Sequence, residues 1–325
     1  MRHTLYFSAF VTSVLLAGVT LSSCNKDDVV GGESDTPSDS PFEKFDGVKV
    51  YEWLPAPGQF INENTLAGDG AVELATMDEA IAWAQDRINS NLYVSLGSFG
   101  GYIVVGLDHS ISASGDEYDF YVAGNAFLSN SGGSNEPGIV WVMQDTNHNG
   151  LPDDQWYELE GSDTSAPETV HGYAVTYYRP EAPGMDTKWT ASDGSTGVVK
   201  YIAPFHKQDY YYPAWVKEDS YTLTGTLLSS KNSQNPETGF WNNKAYDWGY
   251  ADNIGSDNLT PNANSTTAQR CGFKISNAIK ADGSKANLEY VDFVKIQTGV
   301  LATSGALGEI STEVLGFGEY VAEDY

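Results

Sequence analysis

Basic residues are scarce in this chain of 325 residues. It contains 17 lysines and arginines against 44 aspartates and glutamates, which gives a formal net charge of −27. A surface this acidic repels phosphate backbones and anionic lipid, so the composition argues against nucleic acid and against a polybasic membrane contact. The same balance suits cation binding and solubility outside the cell.

Long apolar runs and cysteines are also rare. One apolar run, residues 5–19, follows the cationic Arg2 and is too short to span a bilayer, as is typical of a secretory signal. The small residues Ser22 and Ser23 precede Cys24, which fits the lipobox of a lipoprotein signal peptidase. We therefore predict a signal peptide over residues 1–23 and lipidation of Cys24. An ordinary signal peptide with a chance cysteine is the alternative.

Lipidation of Cys24 would leave Cys271 as the only other cysteine of the chain. An intramolecular disulfide is then impossible, and the fold must depend on its apolar core or on bound metal. We expect Cys271 to be a small buried apolar group. The lipid would be the only membrane attachment, because no second apolar run approaches bilayer length.

Catalytic motifs are missing as well. The five histidines show no metal-ligand spacing, and the chain has no Gly-x-Ser-x-Gly elbow. A spatial pair of carboxylates leaves no sequence signature, so Asp292 and Glu313 are the first candidates for hidden hydrolase chemistry. Buried carboxylates bonded to backbone amides are the simpler interpretation. The sequence favours a protein that is not an enzyme, with no catalytic residues.

The remaining chain predicts an all-β fold behind a short linker. Residues 24–41 are rich in Gly, Ser, Asp and Pro and predict a flexible acidic tether. One helix is expected after Thr76, which forms a capping box with Glu79. Short strands between Gly, Asn and Asp turns then predict a single jelly-roll-type β-sandwich over residues 42–325. The clearest strands are 102–107, 119–123, 138–143, 156–160, 173–178, 221–228 and 288–297.

Residues 145–154 carry the sharpest local motif, DTNHNGLPDD. Alternate Asp and Asn side chains on a tight loop can supply the oxygen ligands that Ca²⁺ requires. The predicted ligands are Asp145, Asn147, Asn149, the carbonyl of Leu151, and Asp153 or Asp154. Trp156 occupies the place of the closing Glu of an EF-hand, so the loop is not an EF-hand. The alternative is a hairpin loop whose side chains cap their own backbone.

Two further groups stand out in the second half of the chain. Asp247, Asp252, Asn253 and Asp257 match no metal loop, and we interpret them as solvated loop carboxylates. Aromatic residues are dense in Pro-, Asn- and Gly-rich segments, where they could stack on a sugar or a large cofactor, or cover the core under long loops. The rings predicted to line a ligand surface are Tyr211, Tyr212, Trp215, Trp241, Trp248 and Tyr250.

Four segments together resemble the "cell surface protein" lipoproteins of Bacteroidetes and a wider group of secreted jelly rolls with galactose-binding-like sandwiches. They are residues 94–109, 119–127, 136–145 and 156–159. The residues Lys26, Asp27 and Asp28 resemble the surface-export signal of such lipoproteins. The resemblance implies a lipoprotein exposed on the outer membrane that accompanies a TonB-dependent transporter, with some members associated with vitamin B12 uptake loci.

Cobalamin or a related corrinoid is therefore the first expected ligand, captured without chemistry for uptake. A carbohydrate-binding lipoprotein of a glycan-uptake system is the alternative that the galactose-binding-like pattern keeps open. A hydrolase hidden in the sandwich and a purely structural surface protein are two further hypotheses. Fold cannot choose among them, because function depends on the site that the fold carries.

Overall fold

The computed structural model describes residues 42–45, 47–62, 74–115, 117–129, 132–203, 208–260 and 268–320. The predicted signal peptide, the predicted lipidation site Cys24 and the predicted tether lie outside the described residues. The elements are β1 (Phe42–Lys44), β2 (Lys49–Leu54), α1 (Met77–Asn89), β3 (Val94–Ser95), β4 (Tyr102–Ser112), β5 (Phe120–Gly124), β6 (Phe127–Ser129), β7 (Gly132–Ser134), β8 (Gly138–Met143), β9 (Trp156–Leu159), β10 (Val170–Tyr178), β11 (Thr187–Ala191), β12 (Thr196–Val199), β13 (Ser220–Leu227), β14 (Asn232–Gln234), β15 (Trp241–Asn243), β16 (Gln269–Phe273), β17 (Ala278–Ile279), β18 (Tyr290–Thr298), β19 (Glu313–Val314) and β20 (Gly316–Tyr320), with 3₁₀ turns at Ile275–Asn277 and Gly305–Leu307.

Three antiparallel sheets make up most of the described fold. The largest has six strands in the order β17-β9-β8-β18-β4-β2. A second sheet has the order β1-β20-β5-β16, and a third has the order β12-β11-β10-β13. The structure confirms the all-β class. The jelly-roll arrangement stays a prediction.

The largest buried cluster of the described residues joins side chains from these sheets. Val140 and Val142 of β8 contribute to it from the six-stranded sheet, and Phe120 and Val122 of β5 contribute from the second sheet. These pairs are spaced two residues apart because alternate side chains of a strand point to the same face. The side chains between them point to the other face of the six-stranded sheet, away from this cluster.

The predicted helix is confirmed. Thr76 caps α1 by accepting a hydrogen bond from the Glu79 amide (3.2 Å), and Glu79 Oε2 accepts from the Thr76 amide (3.1 Å). Ala80, Ala84 and Ile88 are buried along one side of the helix, as their helical spacing predicts. No helix among the described residues is long and apolar enough to cross a membrane.

Strand positions agree with the sequence to within a few residues, but strict alternation of side chains does not hold along the last long strand. Strict alternation would place Tyr290, Asp292, Val294 and Ile296 on one face and Val291 and Phe293 on the other. The register of β18 against β4 shifts between Val291 and Phe293. This irregularity turns Val291 to the core beside Val294 and Ile296. An irregularity of this kind adds a residue to one strand, so the side chains beyond it exchange faces.

Candidate functional site

Most of the aromatic residues predicted to bind a ligand lie in the core. Tyr211, Tyr212, Trp215 and Tyr250 are at most 4% exposed, so they offer a ligand almost no surface. Trp215 packs against Trp53 (ring centroids 4.7 Å apart), and the Tyr212 hydroxyl donates to the Glu218 carbonyl (2.9 Å). The prediction that these rings form one ligand surface is wrong, because the loops that carry them fold over the core.

The two remaining rings, Trp241 and Trp248, are half-buried. Trp241 packs closely on Gly305, where an added Cβ would lie 2.5 Å from the indole Nε1. Trp248 lines a separate cavity, described below. The structure therefore does not bring the six predicted rings together, and a ligand role for Trp241 or Trp248 stays a prediction.

A row of side chains instead crosses the outer face of the six-stranded sheet. Glu158, Trp141, Lys295, Val104 and Glu52 lie opposite one another on β9, β8, β18, β4 and β2. Directly opposed residues of an antiparallel sheet share a face. The row faces away from the core because the neighbours of these residues along each strand, such as Val140 and Val142, point inward.

One end of this row opens into a cleft of about 540 Å³, which we call the Trp156 cleft. Its volume is within the range of small-molecule sites. Residues of β9, β10 and β13 line the cleft. The side chains on which the argument depends are Trp141, Trp156, Glu158, Glu160, His171 and Thr226.

Glu158 is the buried carboxylate of the Trp156 cleft. Its Oε2 accepts a hydrogen bond from the Thr226 hydroxyl (2.5 Å), and His171 Nδ1 lies 3.7 Å away. Its Oε1 is buried and has no hydrogen-bond partner among the described residues. Burial raises the pKa of Glu158, against the opposing effects of Thr226 and His171. An unsatisfied buried acceptor favours a ligand that supplies a donor.

Two indole rings flank Lys295 beside this carboxylate. The ammonium lies 4.6 Å from the ring centroid of Trp141 and 5.2 Å from that of Trp156. Burial lowers the pKa of Lys295 to about 8, while Glu52 and Glu158 oppose the shift. The Trp141 Nε1 donor is buried and lacks a partner in the described part of the chain. The lining of the cleft thus includes a buried acceptor and a buried donor without partners among the described residues, beside aromatic surface.

A second cavity continues the surface on the other side of Trp156. It has a volume of about 360 Å³ and includes Lys295 and Gln297 of β18 in its lining. Gln297 Nε2 donates to the Gly100 and Thr224 carbonyls, while its buried Oε1 accepts from no described group. Trp156 therefore lines both cavities, and a ligand that contacts its indole can reach into either of them.

Sequence reasoning identified β9 as a strand but did not predict this cleft. Trp156, Glu158 and Glu160 are spaced two residues apart, with Tyr157 and Leu159 between them packing on the core. That alternation predicts a Trp and two carboxylates on one outer face. This alternation is a weaker sequence signal for a ligand site than the dense aromatic residues of 210–250, so the cleft was not predicted.

Hydrogen bonds within the 145–154 loop bring its Asp and Asn side chains together, and a Ca²⁺ there stays a prediction. Asp145 accepts hydrogen bonds from the Asn149 and Gly150 amides (3.2 and 2.8 Å). The side-chain amides of Asn147 and Asn149 both donate to Asp153 Oδ1, each at 3.1 Å. Asp154 instead accepts from the Thr146 hydroxyl (2.6 Å), and the Leu151 carbonyl accepts from the Asp153 amide (2.9 Å). Asp153 is therefore the carboxylate that faces the Asn side chains.

The second acidic group is not solvated, so that prediction is wrong. Asp252 and Asn253 are fully buried and Asp257 is 4% exposed, whereas Asp247 is exposed. Asp252 accepts from the Asn125, Ala126 and Glu313 amides at 2.7–3.0 Å. These backbone hydrogen bonds offset the cost of burying a carboxylate. Composition alone does not show that such hydrogen bonds form.

Asp252 belongs to a carboxylate triad with Glu136 and Glu313, whose ligand atoms lie within 4.8 Å of one another. Burial raises the pKa of Asp252 to about 7 and that of Glu313 to about 8.

Asp292 has different partners, accepting from the Asp145 amide (2.7 Å) and from the Ser110 hydroxyl. Glu313 and Asp292, the pair considered for hydrolysis, thus lie in separate networks.

Cys271 is fully buried, as predicted. It is more than an apolar filler, because its thiol donates to the Asn253 carbonyl (3.0 Å). Its Sγ also accepts from Gln269 Nε2 (2.7 Å).

Comparison with known proteins adds no assignment, since no family model and no curated protein matches the chain. The site is therefore interpreted from its own geometry.

Proposed function

We propose that this protein is a non-catalytic lipoprotein of the outer membrane that captures a nutrient ligand at the cell surface. Cobalamin or a related corrinoid is the proposed ligand, and a TonB-dependent transporter is the proposed partner. Lipid attachment at Cys24 would anchor a single jelly-roll domain. The resemblance described above supports this ligand class, and the Trp156 cleft is the place on the molecule that we assign to it.

The observation that carries the assignment is the set of unsatisfied polar groups beside two indoles. Glu158 Oε1, Gln297 Oε1 and Trp141 Nε1 are buried without partners among the residues described. A corrinoid has apolar edges and amide arms, and each arm offers N–H donors and a carbonyl acceptor. The indole of Trp156 would contact an apolar edge while the arms reach into the cavities on its two sides.

A glycan is the second candidate. The indole of Trp156, with Glu158 on the same strand and Glu160 one residue past its end, favours it. A sugar ring can stack on the indole while the carboxylates accept bonds from its hydroxyls. The two cavities that meet at Trp156 would then hold successive sugar units.

Titration of the purified protein with cyanocobalamin and with a panel of soluble oligosaccharides tests both candidates. Trp156→Ala is expected to weaken binding by about 2 kcal/mol, roughly thirtyfold, because a truncated aromatic anchor removes much of a site's contact area. Glu158→Gln retains an oxygen for the Thr226 hydroxyl but presents an amide donor to the cleft. It is therefore expected to weaken binding of a donor-rich ligand.

Trp189→Ala is the matched control, since it removes a half-buried indole of β11 that packs on Gly197 instead. It is expected to leave affinity unchanged. Equal losses in the two tryptophan variants, or no binding of either ligand class by the wild-type protein, would contradict the proposed cleft. Binding of a glycan but not of cobalamin would select the second candidate.

We also propose a structural Ca²⁺ in the 145–154 loop. The oxygens of Asp145, Asn147, Asn149 and Asp153 are its proposed side-chain ligands, because hydrogen bonds link the Asn147 and Asn149 side chains to Asp153 and the Asn149 amide to Asp145. Rotation of the Asn147 and Asn149 amides would turn their oxygens toward the cation. The Leu151 carbonyl is the proposed backbone ligand.

Chelation with EDTA is expected to lower the melting temperature. A ligand present at about 100 times its dissociation constant stabilises the folded state by about 2.7 kcal/mol. Asp145→Ala should make the melting temperature independent of calcium. The control, Asp282→Ala, removes an aspartate that caps Ser284 in another turn, and its melting curve should keep the wild-type response. A wild-type melting temperature that changes neither with EDTA nor with added calcium would exclude the site.

A further inference from the structure

A separate cavity of about 260 Å³ lies beyond β9, between the 248–257 loop and the end of β16. The side chains that define it are Tyr118, Glu160, Trp248, Asp257, Lys274 and Asn277. Among them only Glu160 also lines the Trp156 cleft. The cavity is thus a second place on the molecule where a ligand can bind, with its own set of side chains.

Asp257 is the buried carboxylate of this cavity. It is 4% exposed, and its Oδ2 accepts a hydrogen bond from the Gly249 amide (2.6 Å). Its Oδ1 is buried and finds no hydrogen-bond partner within the described ranges. Burial raises the pKa of Asp257 to about 6, so the group is mainly ionised at neutral pH. A buried ionised oxygen is costly unless a donor pairs with it, and a cationic donor pairs best.

Aromatic rings form the walls around this carboxylate. The Tyr118 ring lies against Gly272, where an added Cβ would approach its Cδ1 to 2.7 Å. Trp248 also lines the cavity and is half-buried. Lys274 Nζ lies 5.3 Å from the Tyr118 ring centroid, so this lysine already occupies the cation position at Tyr118, and Trp248 is the aromatic wall left for a cationic ligand. Aromatic faces attract cations through their quadrupole.

We propose that this cavity binds the primary ammonium group of a small organic molecule. Asp257 Oδ1 accepts a charge-assisted hydrogen bond from the ammonium, and the rings of Trp248 and Tyr118 contact its carbon chain. The net charge of −27 raises the concentration of such cations near the surface. The site does not depend on the nutrient ligand proposed for the Trp156 cleft.

Ethanolamine and its uncharged analogue ethylene glycol are the probes. The full-length protein is titrated with each at neutral pH by calorimetry, and binding is located by NMR. Ethanolamine is expected to bind saturably and to shift the Trp248 indole resonance, while ethylene glycol binds at least tenfold more weakly. Equal binding of the two compounds would overturn the proposal, and so would an unchanged Trp248 indole resonance at saturating ethanolamine. Both measurements use the wild-type protein.

Asp257→Asn is expected to weaken ethanolamine binding at least tenfold, because it removes the charge and keeps an oxygen for the Gly249 amide. Asp247→Asn removes the same charge from an exposed neighbour and should leave binding within twofold of the wild type. Equal losses in both variants would show a non-specific charge effect and overturn the proposal. Binding of cobalamin or glycan should be unchanged in Asp257→Asn, so failure of this site and failure of the Trp156 cleft are distinguishable.

Discussion

Trp53→Ala is expected to lower the free energy of unfolding by about 3–5 kcal/mol, the range for removal of a large buried aromatic side chain. Trp53 is fully buried in β2. Its ring stacks on Trp83 of α1 (centroids 4.9 Å apart) and packs against Trp215 (4.7 Å). Its Nε1 donates to the Ser95 carbonyl (3.1 Å). The substitution would leave a cavity and an unsatisfied carbonyl where the helix meets the sheet.

Chemical denaturation of the two purified proteins measures this loss. Phe240→Ala is the control, because Phe240 is 63% exposed and its removal should change stability by less than about 0.5 kcal/mol. A loss below about 1 kcal/mol for Trp53→Ala would contradict the packing described for this cluster. The result also bears on Trp215, since a ring that supports Trp53 in the core is not free to contact a ligand.

The carboxylate triad is expected to make the protein less stable as the pH rises. Burial raises the pKa of Glu136, Asp252 and Glu313, and their mutual repulsion raises those of Glu136 and Glu313 further. In the unfolded chain these groups have ordinary pKa values near 4. The unfolded state therefore loses its protons first, and between about pH 4 and pH 8 each further step in pH favours unfolding.

The contribution of the triad is fully present below pH 4 and is lost as the pH passes the folded-state values of about 7 for Asp252 and about 8 for Glu313. One unit of difference in pKa corresponds to about 1.4 kcal/mol, so the total change is on the order of several kcal/mol. Calorimetric melting temperatures measured from pH 4.5 to pH 8.5 should record this decrease.

Glu313→Gln is expected to flatten the pH dependence and to raise the melting temperature at pH 8. The variant keeps an oxygen for the Ser95 hydroxyl and removes one buried charge. Glu181→Gln, at an exposed position, should reproduce the wild-type profile. A Glu313→Gln profile that parallels the wild type over the whole range would show that the triad does not govern the dependence.

Local signals in the sequence predicted the local structure well. Thr76 and Glu79 determine where α1 begins, because a capping box needs only residues that are close along the chain. Residues 138–143 form β8 at the predicted bounds, since a short apolar run between turns is sufficient to identify a strand. The 145–154 loop gathers its Asp and Asn side chains for the same reason.

Properties that depend on distant segments could not be predicted in this way. The sequence determined the all-β class, the capped helix, the acidic surface and the polar loop, all of which follow from composition or from neighbours along the chain. The tertiary structure decided that Tyr212 and Trp215 lie in the core, that Asp252 meets Glu313, and that Trp156 and Glu158 line a cleft. Burial and pairing of these side chains depend on which remote strands and loops cover them, and residue type does not specify that.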